Sequence, residues 1–230
     1  MKESLCNSAF FGVVVSILAY ELGLVLKRKF KLAIFNPIFV SIAVIIVVLL
    51  VFDIDYASYD NGAKYLNYLL TPATVCLAIP LYEQLSVLKH NAKAVIVGIV
   101  TGVITSMVTI FAFACLFRFG HELYVTLLPK SITTAIGIGQ SEELGGIVAL
   151  TAAVITVTGV FGNMIAETVC KLFRITEPVA KGIAIGASSH AAGTAKAIEI
   201  GEVEGAMSSL SIVICGLLTV ISASVFAQFL

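Results

Sequence analysis

The chain has 230 residues, 59% hydrophobic and 12% charged, with 14 basic side chains against 14 acidic ones. A soluble domain carries about 25% charged residues, and a fold this small cannot hide so much apolar surface behind so little polar surface. An ordinary soluble domain, a disordered chain and a basic nucleic-acid binder are excluded, which leaves an all-α polytopic integral membrane protein, read as one domain over 1–230.

In chain order, an apolar run at 4–26 is interrupted only by Glu21, and charge-free runs follow at 32–52, 65–82, 94–117, 144–166 and 205–230. Each is near the roughly 20 residues that cross a ~30 Å hydrocarbon core as a helix. Residues 42–51 are continuously apolar, unlike a membrane strand that alternates polar and apolar positions. The first run lacks a clear small-x-small cleavage site and is expected to be retained as a span, which an uncleaved signal-anchor also fits. Two shorter runs, 131–141 and 182–195, are rich in Gly, Ser, Thr and Ala and too short to cross alone. The expectation is about six full spans plus two broken or re-entrant helical elements.

Loop charges set the orientation. Lys27, Arg28, Lys29 and Lys31 form the densest basic cluster, expected in the cytoplasm with the N-terminus outside. Asp53, Asp55 and Asp60 then fall outside, Lys89, His90 and Lys93 inside, and 118–122 outside. Lys171, Arg174 and Lys181 belong inside, which alternation permits only if the element around 129–143 enters and leaves on one side.

The order of elements repeats. A short Gly/Ser/Thr-rich piece precedes a long apolar helix at 127–143 then 144–170, and again at 182–199 then 205–229, with a weaker version at 65–82 then 94–117. Entry from opposite faces makes the two clear units inverted copies. Inverted repeats with broken helices place a carrier's binding site near mid-membrane. The other reading is that the small residues only let helices pack closely.

The window 186–199, GASSHAAGTAKAIE, holds Ser188, Ser189, His190, Gly193, Thr194, Lys196 and Glu199, with Gly182 and Gly186 available for close approach or a helix break. Ionisable side chains inside membrane segments are costly and functional by default. His190 fits a coupling proton. Lys196 either attracts an anion or pairs with Glu199 at the interface. In the window 127–143, Pro129 breaks the helix, while Lys130, Ser131, Thr133 and Thr134 offer a cation, hydroxyls and helix-start amides to an anion; a plain capped helix start also fits. At 71–82, Pro72 and Pro80 break the segment so that freed carbonyls and Thr74 line a cavity, or they mark only a helix start and an exit kink. Asn36–Pro37 has the same ambiguity. Asn163 and Glu167 lie one turn apart, and Glu202 and Glu204 are expected at the surface. Cys6, Cys76, Cys115, Cys170 and Cys215 are scattered, with no CxxC pair, so they read as packing residues. With three histidines and no nucleophile elbow, P-loop or HExxH pattern, neither an enzyme nor a metal or cofactor is expected.

Together, LLPKSITTAIGIGQSEELGGIVALTAAVITVTGVFG at 127–162, GASSHAAGTAKAIEIGEVEGAMSSLS at 186–211, TPATVCLAIPLYEQ at 71–84 and Asn36–Pro37 resemble the LrgB/CidB family, over nearly the whole chain. Ala135, Gly139 and Gln140 stand where that family usually has a proline and an acidic residue. The resemblance implies an antiholin-like or holin-like bacterial inner-membrane protein that modulates murein hydrolase activity and lysis, often with a smaller LrgA/CidA-type partner. Its plastid relatives are glycolate/glycerate translocators, and bacterial relatives are linked to pyruvate uptake. It directs attention to Lys130, Ser131, Thr133 and Thr134 in one motif and to Ser189, His190, Gly193, Thr194 and Lys196 in the other. The expected function is transport of a small monocarboxylate anion, with lysis control lacking a substrate site as the alternative. The expected surroundings are the lipid bilayer and other copies of the chain, without nucleic acid.

Overall fold

The computed structural model describes residue 8 and residues 10–30, 32–76 and 78–230. Among these residues every regular element is a helix. Two compact units form, Met1–Cys76 and Leu77–Leu230. Cys6 and the start of the run at 4–26 lie outside the described residues, as does the side chain of Thr74.

The first unit contains α1 (Phe11–Phe30), a 3-10 turn (Ala33–Phe35), α2 (Pro37–Val51), α3 (Tyr56–Asn67) and α4 (Leu70–Cys76). Gly23 lets α1 press on the backbone of Pro37, and Gly12 lets it press on the backbone of Tyr59 and Ala63. Asn36 starts α2: its side chain accepts from the amide of Ile38 at 3.0 Å, and Pro37 fills the first helical position, where its missing donor costs nothing. That cap leaves α2 with 15 residues, about 22 Å of rise, short of the hydrocarbon thickness. Pro72 sits in the first turn of α4.

The second unit contains α5 (Ala78–Glu83), α6 (Leu85–Phe117), α7 (His121–Leu127), α8 (Thr134–Glu143), α9 (Val148–Leu172), α10 (Pro178–Ile200), α11 (Glu202–Phe226) and a final 3-10 turn. Pro80 lies in the first turn of α5. The core is an apolar seam between α6, α7 and α11, centred on Ile99, Met107, Tyr124, Leu128, Ile132 and Met207.

Among the described residues, four stretches suffice by length and composition to cross a membrane: Tyr56–Glu83, Leu85–Phe117, Val148–Leu172 and Glu202–Phe229. The chain is therefore an all-helical multi-pass membrane protein, and among the described residues four of the expected six spans meet both criteria. Of the remaining two, α1 has the length but carries Glu21, Lys27, Arg28 and Lys29, and α2 is apolar but short.

Two pieces of the second unit double back on themselves. In α10, Gly182 lies against Glu204 and Met207, and Gly186 against Ser208, so the first leg runs alongside the start of α11 in the same direction. Beyond residue 190, Thr194 reaches Ser208 and Ile198 covers Gly205, so the second leg runs the opposite way. Gly193 returns to touch Ile185 and Ser189, as no straight helix allows. The reversal falls on His190, at φ 40° and ψ −136°. Gly186, expected as the break, is helical. It serves packing instead, since a Cβ there would stand 2.5 Å from the Ser208 carbonyl oxygen.

The segment before α9 does the same from the other end. The hydroxyl of Thr126 on α7 accepts from the amide of Ile147 at 2.8 Å, and Thr151 bonds both the Thr126 carbonyl and Ser141 on α8. One turn deeper, Gly137 of α8 packs on Ile155 of α9 and on Pro129. Thus α7 descends along α9, the chain turns at 128–133 around Pro129, and α8 climbs back.

Candidate functional site

The two hairpin tips meet beside the middle of α9. The α10 tip is docked there by polar contacts: His190 Nε2 lies 3.0 Å from the Ile155 carbonyl, and Asn163 Nδ2 donates to the Ala192 carbonyl. Thr194 donates to the His190 carbonyl at 3.0 Å and pairs with Ser208 at 2.7 Å. A helix broken inside a protein leaves carbonyls and amides without their usual partners; Asn163 and Thr194 answer two of those carbonyls. Gly159 and Gly162 of α9 make room, since a Cβ on either would collide with the His190 ring or the Ser189 hydroxyl.

The other tip brings Lys130 and Ser131, with Lys130 Nζ donating to Ser131 Oγ at 2.8 Å. Lys130 borders two cavities. The larger, about 1060 Å³, runs between α6, this tip and the first leg of α10, and includes Ser131, Ser188, Thr101, Thr105, Ser106 and Thr109 in its wall. The smaller, about 420 Å³, lies between α9 and the other face of the same leg, and includes Ser188 and Ser189. One ammonium and three hydroxyls from opposite hairpins (Ser131, Ser188 and Ser189), with Thr105 of α6 across the larger cavity, thus surround space at mid-length of a membrane-crossing helix. Among the described residues, Ser106 Oγ is the one buried side-chain oxygen or nitrogen without a hydrogen-bond partner, and it belongs to the wall of the larger cavity.

The expected site residues divide into four groups. Lys130, Ser131, Ser188 and Ser189 line the cavities. His190, Gly193 and Thr194 hold the α10 tip in shape and are buried. Thr133 and Thr134 start α8 without a side-chain cap and face neither cavity. Lys196 takes the ion-pair reading: its ammonium lies 2.6 Å from Glu167 and 3.0 Å from Glu199, tying the second leg to α9. Glu204 corrects a surface expectation, being buried and 3.7 Å from Lys181 on the first leg. The wall formed by α6 went unread. Its signal is Thr101, Thr105 and Thr109, four residues apart on one helix face, with Gly98 and Gly102 on the face that meets α10.

The chain is 36% identical over 222 residues to antiholin-like protein LrgB of Bacillus cereus (strain B4264), covering 96% of each chain. It stands in the same relation to antiholin-like protein LrgB of Bacillus anthracis (strain CDC 684 / NRRL 3495). No solved structure matches it. The sequence pattern of the LrgB-like family matches residues 16–229, taking in both hairpins and the helices that carry them, and the chain belongs to that family.

Proposed function

We propose that the second unit is a carrier for small monocarboxylates of the glycolate, glycerate or pyruvate type, with the anion held at Lys130 between the two hairpin tips. The observation that carries this reading is that Lys130 and Ser188, from opposite hairpins, border both cavities. An ammonium beside hydroxyls in a low-dielectric surround holds a carboxylate by charge-assisted hydrogen bonds. Two inversely oriented broken elements supply the moving parts for alternating access. In this reading the end of α9 that bears Lys171 and Arg174 faces the cytoplasm and the N-terminus lies outside. The setting is a bacterial inner membrane.

A second reading draws on the relatives. Their names support antiholin-like control of lysis more directly than transport; in this reading the chain acts in company with an LrgA/CidA-type protein or further copies of itself. The test that separates the two is uptake of labelled glycolate, glycerate and pyruvate by reconstituted liposomes, paired with thermal stabilisation by each acid. Saturable uptake whose KM Lys130→Gln raises supports the carrier. Absence of uptake and of stabilisation with all three supports the assembly role.

A further inference from the structure

The two cavities at Lys130 lead to different surroundings. The larger runs between α6 and the first leg of α10 to the start of α10, where His90, Asn91 and Glu177 stand in its wall. The smaller lies on the α9 side of that leg and shares Cys170 and Ile175 with a third cavity of about 610 Å³. Lys171, Arg174, Lys181 and Glu167 line this third space. Glu167 is engaged by Lys196 and Lys171, and Lys181 by Glu204. Among the described residues no carboxylate pairs with Arg174. Its place is fixed by the turn that ends α9, in which the Ile175 amide bonds the Cys170 carbonyl at 2.8 Å.

One path from Lys130 therefore ends beside His90 and the carboxylate of Glu177, and the other at three cations, Lys171, Arg174 and Lys181, against the one carboxylate of Glu167. Cations at the mouth of a low-dielectric cleft raise the local concentration of anions. We infer that small anions move between Lys130 and the aqueous face along the second path, on the α9 side of the α10 hairpin, and that Arg174 and Lys171 form its anion-collecting mouth. The inference rests on the carrier reading and adds the route. The larger cavity takes no part in anion entry from this end.

Cys170 lies in the wall of both the smaller and the third cavity and serves as a native reporter. The experiment uses the full chain with the other four cysteines replaced by serine, reconstituted in vesicles. It follows modification by a negatively and a positively charged methanethiosulfonate reagent, with Thr176→Cys as a second reporter in the mouth. The anionic reagent is expected to react faster at both positions. Arg174→Gln is expected to lower the anionic rate about fivefold, as loss of one nearby charge does, and to raise the cationic rate by a similar factor. In uptake assays the same variant is expected to raise KM and spare kcat. Equal rates for both reagents, no reaction at either position, or anionic rates unchanged by Arg174→Gln would overturn the route. Uptake that persists with those results leaves the carrier standing without this path. Charge-selective labelling without uptake of any acid leaves an anion path and removes the carrier.

Discussion

His190 donates its Nε2 hydrogen to the carbonyl of Ile155, 3.0 Å away, and this contact fastens the tip of one hairpin to the helix that supports both. A carbonyl only accepts, so the ring must carry its proton on that nitrogen. The backbone of His190 is held at φ 40° and ψ −136°, a region costly for any residue with a Cβ and tolerated best by Gly. The residue singled out for proton coupling is thus placed to lock the fold of the tip.

Replacing that lock should cost stability first. His190→Ala loses the hydrogen bond and keeps the backbone strain, at about 1–3 kcal/mol. His190→Asn, which retains a side-chain donor, should lose less. Thermal unfolding in detergent reads the order. Equal stability of the wild type and the alanine variant would show that the ring does not hold the tip.

Lys130 should govern affinity. A hydrogen bond to a charged group is worth roughly 1.5–3 kcal/mol, or about 10- to 100-fold in binding. Lys130→Gln should raise KM for carboxylate uptake by that factor with protein level unchanged, and Lys130→Arg should recover part of the loss. A parallel fall of protein level and activity would mark the lysine as a topological anchor.

The glycines of α9 and α6 make opposite predictions from one substitution. Gly162→Ala puts a methyl into Ser189 at the tip, so a well-packed site must move, at about 1–3 kcal/mol. Gly102→Ala puts one 3.4 Å from the Ala187 Cβ, an ordinary contact, and should be neutral or slightly stabilising. Melting temperatures of the pair check the packing directly.

The ion pair between Lys196 and Glu167 should respond to charge exchange. Lys196 is mostly buried and Glu167 half-exposed, so breaking the pair should cost about 1 kcal/mol. Lys196→Glu alone leaves repelling carboxylates at Glu167 and Glu199, and adding Glu167→Lys should recover part of the stability. A double variant no better than the single would show that the legs do not depend on this contact.

Composition and charge-free runs made the all-helical membrane class legible, because apolar length is a local property of the chain. The two broken elements were legible for the same reason: small and hydroxyl-bearing residues in runs too short to cross mark themselves. The position of the break was not. Gly186 is the more permissive residue, yet the chain turns at His190, because Asn163, Ile155 and Thr194 supply partners there and Ser208 occupies the space at Gly186. Lys196 likewise reads as an anion site until Glu167, 29 positions away in the chain, is seen beside it. The α6 wall stayed hidden because its threonines look like ordinary helix residues until α10 packs opposite them.

The central claim is that Ser131 and Ser188, from hairpins entering at opposite ends of α9, face one aqueous space at mid-membrane. It is tested most directly by Ser131→Cys and Ser188→Cys in a cysteine-free background, treated with a membrane-impermeant thiol reagent with and without carboxylate. Both positions should react, each should be protected by the acid, and paramagnetic relaxation on a label at either should place it near the bilayer centre. Labels reporting headgroup depth, or two positions inert to the reagent in every condition, would contradict the account.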